Sequence, residues 1–170
     1  MAKFEEALSM VLRHEGGLSA DAQDEGGITN MGISLRFYKK RVKVDADEND
    51  IRNLTVAEVS DIYNKFFWIP NRYDEINNQD LANRMMDLAV NTGSLNANAF
   101  LQRALNSIMS YIPLQVDGKI GLKTLAAANN CDQLLLYSNL IAEATQYYKL
   151  IAKNNQNFKF LNGWLKRLAN

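Results

Sequence analysis

The chain has 170 residues, 47% of them hydrophobic, with 19 basic and 19 acidic side chains and a formal net charge of zero. That length supports a buried core without staples, the single cysteine, Cys131, excludes an internal disulfide, and the balanced charge gives no footprint for a nucleic-acid partner. No run approaches the roughly 18 apolar residues of a membrane span, so no stable membrane insertion is expected, and residues 1–15, interrupted by Lys3, Glu5, Glu6 and Arg13, lack the apolar stretch of a secretory signal.

The first element expected is a helix over 3–14, where Phe4, Ala7, Leu8, Val11 and Leu12 follow helical spacing. Gly16 and Gly17 should stop it, leaving Glu15 at its end near the apolar stripe. From Leu18 to Ile33 turn residues dominate; Gly26-Gly27 is the hairpin signal, and a small irregular β-hairpin is expected there. Ser34 should cap a short helix over 35–41, and the charged stretch 42–53 reads as a loop. Thr55 and Glu58 form a capping box that starts a helix over 56–67. Asp80 is the expected cap of a helix over 81–91, and Ser94 of the next, which carries Phe100, Leu101, Ala104, Leu105 and Ile108. Asp117-Gly118 marks a turn. Helices over 122–129, from Asp132 to about 153, and over 160–168 around Trp164 complete a mainly α chain with one small β element and no polar linker.

The densest chemistry lies between Glu15 and Gly32. Cleavage of a glycosidic bond commonly needs one carboxyl group to protonate the leaving oxygen and a second as base or nucleophile. Glu15, beside apolar surface at the negative end of a helix, is placed to hold a proton readily. Asp24, in a polar glycine-rich turn, suits the ionised partner, and Thr29 suits a water ligand. Gly16, Gly17 and Gly27 would let an extended sugar chain approach the backbone. The bland alternatives are a solvated helix-end acid for Glu15, a turn-former for Asp24 (and for Asp21), and a strand-edge hydroxyl for Thr29. Asp87 and Asn91 lie one helical turn apart, suiting either interhelical hydrogen bonds or the floor of a groove. Trp68 and Tyr73 can stack on sugar rings or fill the core, and Trp164 reads as core. His14 is the only histidine, which argues against a metal site and against a histidine-dependent nucleophile; no cofactor is expected.

Glu15-Gly16-Gly17 followed by Asp24-x-Gly26-Gly27-x-Thr29-Asn30-x-Gly32-Ile33 closely resembles glycoside hydrolase family 108, N-acetylmuramidases of phage and bacterial origin, some described as secretion activators. The resemblance continues through Phe67-Trp68, Asp87-x-Ala89-Val90-Asn91-x-Gly93, Leu101-Gln102-Arg103-Ala104-Leu105, Val116-Asp117-Gly118-x-Ile120-Gly121-x-x-Thr124-Leu125 and Phe160-Leu161-x-Gly163-Trp164-x-x-Arg167. It implies a lysozyme-like fold with a catalytic lobe over 1–93 and a helical lobe over 94–170 that resembles a peptidoglycan-binding segment. It implies that Glu15 is the essential acid for cleaving the β-1,4 bond between N-acetylmuramic acid and N-acetylglucosamine. Asp24 and Thr29 resemble the aspartate and threonine of phage lysozymes, although the spacing to Thr29 is one residue shorter here. Leu18 stands where the family has an aromatic residue, and is expected to pack. The implied partner is the peptidoglycan glycan strand, met by a monomer made in the cytoplasm and let out through a holin-like pore or a dedicated secretion system. The rival readings are a non-enzymatic peptidoglycan-binding or secretion-accessory protein and a lytic transglycosylase.

Overall fold

The long helices follow the apolar stripes of the sequence, and the departures come where a side chain outside the stripe satisfies the backbone. The computed structural model describes residues 1–19, 27–109, 113–154 and 158–169. Helix α1, Phe4–Glu15, buries Ala7, Met10 and Val11 and ends at Gly16, whose φ of 66° an L side chain would resist. Two short strands follow, β1 (Thr29–Asn30) and β2 (Ile33–Ser34), antiparallel with Thr29 opposite Ser34 and Asn30 opposite Ile33. Their turn is Met31-Gly32, with φ of 47° and 80°, the positive pair that a type I′ hairpin requires. The hairpin therefore exists, and its two strands are joined at Met31-Gly32; Gly27 precedes β1, and Gly26, the other half of the expected turn signal, lies outside the described residues. Ser19 bridges the outer edge of Thr29 through two backbone hydrogen bonds of 2.8 Å.

Ser34 caps α2 (Leu35–Arg41) by accepting from the Phe37 amide at 3.2 Å. The charged stretch expected as a loop contains a short helix, α3 (Glu48–Arg52). The Asp47 side chain accepts from the amides of Asn49 and Asp50, the Asp50 carboxylate accepts from the Asp47 amide, and buried Ile51 anchors the turn. Helix α4 (Val56–Tyr63) starts at the expected Thr55–Glu58 capping box but stops short of Phe67. The chain widens into a π-helical turn over Asn64–Trp68 and then tightens into a 3-10 turn over Ile69–Asn71, where Pro70 cannot extend a regular helix. This change of pitch carries Trp68 inward, against Phe4 and Tyr73.

The central helix is α5 (Gln79–Thr92), packed against α1 and against α6 (Ser94–Ile108). Its cap is Asn78, which accepts from the Leu81 amide at 2.9 Å, and Asp80 falls within the first turn. Ser94 is the first residue of α6 and not its cap; Gly93, at a φ of 86°, occupies the cap position. Helix α7 (Leu122–Asn130) leads to α8 (Gln133–Asn154), begun by Asp132 accepting from the Leu135 amide at 2.9 Å. Helix α9 (Phe158–Ala169) folds back on α8, with Trp164 stacked on Tyr148 at 5.3 Å between ring centroids.

Two amides of α6 fasten the 117–119 loop, and one of them, Asn98, also ties it to the N-terminal half. Asn98 accepts from the Tyr73 hydroxyl at 2.7 Å and donates to Asn71 Oδ1 and the Gly118 carbonyl. Gln102 accepts from the Gly118 amide and donates to Asp117 Oδ1 and the Lys119 carbonyl. The hydrogen bond from Gln102, then that from the Lys119 amide, hold the Asp117 carboxyl below its ordinary range. Gly118 is required, because a Cβ at its φ of 71° would sit 2.6 Å from the Leu95 carbonyl oxygen. The Gln102 and Val116–Gly121 motifs thus have a folding role: buried amides fasten a loop whose backbone groups would otherwise go unpaired.

Candidate active site

Glu15 stands where α1 ends, and its neighbours come from four separate parts of the chain. Its side chain is 18% exposed. Oε1 receives Nη2 of Arg167, in the last turns of α9, at 2.7 Å. Cγ and Oε2 lie over Gly32, at the tip of the hairpin: a Cβ added there would be 2.7 Å from Cγ and 2.9 Å from Oε2, and would overlap the Tyr63 hydroxyl. Absence of a side chain at Gly32 is therefore what gives the carboxylate its room. The apolar shelter expected for Glu15 is corrected at this point, since a guanidinium occupies one of its oxygens.

Arg167 is itself held by Asp87 of α5, whose side chain is 1% exposed. Nε of Arg167 donates to both Asp87 oxygens, at 3.1 and 3.2 Å, and Nη2 donates to Oδ1 at 2.8 Å. His14 Nδ1 lies 2.9 Å from the same Oδ1, and Arg84 Nη1 donates to Oδ2 at 3.4 Å. Arg84 also donates from Nη1 to the Arg167 carbonyl at 3.0 Å and from Nε to the Tyr137 hydroxyl at 3.0 Å. A buried carboxylate is tolerable only when its lone pairs are met, and here two guanidiniums and an imidazole meet them. Burial pulls the Arg167 value down, but the hydrogen bond to Asp87 and the negative charges of Asp87 and Glu15 outweigh it, leaving the guanidinium above its ordinary range. Tyr63 completes the wall, donating to the Met31 carbonyl at 2.9 Å. Burial, then the nearby Glu15 charge, raises its phenol well above the usual tyrosine range, so it remains a donor.

The residues expected at the site divide clearly. Asp24 and Asp21 lie outside the described residues. Gly16 caps α1, Gly17 follows in an exposed bend, and Gly27 has a φ of 73° just before β1. Thr29 is in β1, its hydroxyl donating to the Gly27 carbonyl at 3.4 Å. Asn91 is half-buried near the end of α5. Trp68 and Tyr73 are corrected: at 2% and 0% exposed, with their rings against Phe4 and each other, they offer no face to a sugar. Leu18 is 50% exposed and does not pack as expected. Sequence reasoning missed Arg167 and Arg84 as site neighbours. The signal for Arg167 was its place in the closing motif, three residues after Trp164 and hence on the same helix face, while Arg84 had only its position one turn before Asp87.

A 620 Å³ cleft borders Met10, Arg13, Asn78 and Tyr137, and a 750 Å³ cleft lies between the 113–119 segment and α7, lined in part by Asp117, Lys119, Leu122, Lys123 and Thr124; Glu15 lines neither. Among the described residues, no group of histidine, cysteine and carboxylate side chains is arranged to hold a metal, and no helix is long and apolar enough to cross a membrane.

The chain is a mainly helical protein with a short N-terminal hairpin, and it shares its fold with SagA of Brucella abortus: TM-score 0.75, 24% identity, covering 98% of this chain and 94% of that one. Residues 8–93 match the family Glycosyl hydrolase 108, and the chain belongs to that family. Residues 96–169 match the domain described as Predicted Peptidoglycan domain. No curated protein matches the chain. It is a family 108 glycosyl hydrolase joined to a peptidoglycan-binding domain.

Proposed function

We propose that the protein hydrolyses the β-1,4 bond between N-acetylmuramic acid and N-acetylglucosamine in peptidoglycan, with Glu15 as the general acid. The observation that carries this reading is the mounting of Glu15 within the family-matched segment: one carboxyl oxygen is anchored, and the other lies over a residue with no side chain. In this reading Glu15 gives its proton to the glycosidic oxygen as the C–O bond breaks. Asp24, with Thr29, stabilises the developing oxocarbenium charge or orients the attacking water, whose proton returns to a carboxylate. Gly16, Gly17, Gly27 and Asn91 follow the sugar chain, and the 750 Å³ cleft of the C-terminal domain is a further place for wall contact. The reaction needs no cofactor. The protein acts on the wall as a monomer after leaving the cytoplasm through a holin-like pore or a secretion system.

Glu15→Gln tests the assignment, because the amide keeps the shape and loses the proton. The expected result is a folded variant that still binds wall preparations and releases no reducing sugar. Retained lysis would exclude Glu15 as the acid. Mass spectrometry of products from the parent protein separates the rivals: reducing muramic ends mean hydrolysis, anhydro-muramic ends mean a lytic transglycosylase, and binding without products means a non-enzymatic wall-binding protein.

A further inference from the structure

We propose that Arg167, at the C-terminal end of the peptidoglycan-binding segment, is a positioning residue for Glu15 and that Asp87 holds it in place, so that the two family-matched halves form one catalytic unit. This rests on the reading of Glu15 as the acid. The peptidoglycan-binding segment would otherwise be expected only to hold substrate. Yet its last helix projects a guanidinium into the other half, where a single nitrogen, Nη2, contacts Asp87 Oδ1 at 2.8 Å and Glu15 Oε1 at 2.7 Å. That side chain is 13% exposed, and it is fixed at both ends: Asp87 takes the fork, and Arg84 takes the backbone carbonyl of the same residue at 3.0 Å. Such a cage is more than packing α9 against α8 requires, since Trp164 on Tyr148 already does that.

The chemical consequence follows from which oxygen is taken. With Oε1 accepting from Nη2, the proton of the acid form resides on Oε2, the oxygen above Gly32. As Oε2 gives up its proton, negative charge grows on the carboxylate, and a cation already in place stabilises it without reorganising. Arg167 therefore aims the acid and favours its conjugate base, while itself touching no reacting atom. His14 and Arg84 share Asp87 and keep that carboxylate occupied, so the fork is held in one orientation.

The experiment compares Arg167→Gln and Arg167→Lys with the parent and with Glu15→Gln, using full-length protein and purified wall. Folding is checked by circular dichroism and thermal unfolding, wall affinity by sedimentation, and kcat and KM by reducing-sugar release. Arg167→Gln should lower kcat by about 10- to 100-fold, the scale of a misaimed catalytic group, with KM and wall affinity within about twofold of the parent. Arg167→Lys should recover only part of kcat, because one ammonium cannot supply the guanidinium fork. A folded Arg167→Gln with parental kcat overturns the proposal, as does failure of both variants to fold, which would make the arginine purely architectural. Should Arg167→Gln alone fail to fold, a parental kcat in Arg167→Lys overturns it equally. Activity retained in Glu15→Gln would instead remove the underlying assignment, so the two failures are distinguishable.

Discussion

Gly32→Ala places one methyl group between the hairpin and the carboxylate. Two costs are separable. An L side chain at a φ of 80° is strained, by about 1–2 kcal/mol. The new Cβ would also overlap the Tyr63 hydroxyl and approach Glu15 Cγ to 2.7 Å, so something must move. Tyr63 is buried, its ring set against Phe67 and its hydroxyl bonded to the Met31 carbonyl; breaking that bond would cost about 1–3 kcal/mol. Glu15 is the softer neighbour, a partly exposed side chain, and it should swing first. Stability should therefore fall by about 1–2 kcal/mol if only Glu15 moves and by about 2–5 kcal/mol if the Tyr63 hydrogen bond also breaks, against the roughly 5–15 kcal/mol typical of a domain, while lytic activity should fall by about 100-fold or more. Gly93→Ala is the control, with a φ of 86° and nothing within 4 Å of the added Cβ, so it carries only the backbone strain. Urea unfolding gives the first quantity and turbidity clearing of wall preparations the second. Parental activity in Gly32→Ala would refute the reasoning.

Asn98→Ala would leave the Tyr73 hydroxyl, Asn71 Oδ1 and the Gly118 carbonyl without their present partner, and should cost about 2–4 kcal/mol by urea unfolding; a loss under about 1 kcal/mol would show that the amide clamp is dispensable. Burial raises the phenols of Tyr63, Tyr73 and Tyr148, so in the folded protein they should remain un-ionised through about pH 11 in ultraviolet titration. The unfolded chain releases those protons near pH 10, so their stabilising contribution is complete below that pH and is lost as pH rises above it. The slope should reach about 1.4 kcal/mol per pH unit for each tyrosine, and ionisation of all the tyrosines near pH 10 without unfolding would count against their burial.

Much of the fold was legible because it is governed by local rules. The stripe from Phe4 to Leu12 dictates α1, glycine at 16 ends it, and Thr55–Glu58 and Asp132 start their helices as their side chains allow. The misses share a cause. Asn78 and not Asp80 caps α5, and the β1–β2 turn falls at Met31-Gly32, which had not been singled out, because several residues nearby carry the same propensity and packing selects among them. The extra turn at Asp47–Arg52 has its capping box in the sequence, but its short apolar content hid it until Ile51 was seen buried.

Glu15 belongs to what the sequence by itself determined: a carboxylate at a helix end, followed by glycines that stop the helix, is a property of neighbouring residues. Only the tertiary structure decided its surroundings. Arg167, Asp87, Gly32 and Tyr63 come from α9, α5, the hairpin and α4, and no local pattern relates residues so far apart in the chain. Trp68 and Tyr73 show the converse: their chemistry suits either a sugar platform or a core, and the π-helical turn that carries Trp68 inward settled the choice. Periodicity shows which face of an element is buried, but which charged group meets a given carboxylate depends on how distant elements cross, and that is set by the packing of the whole chain.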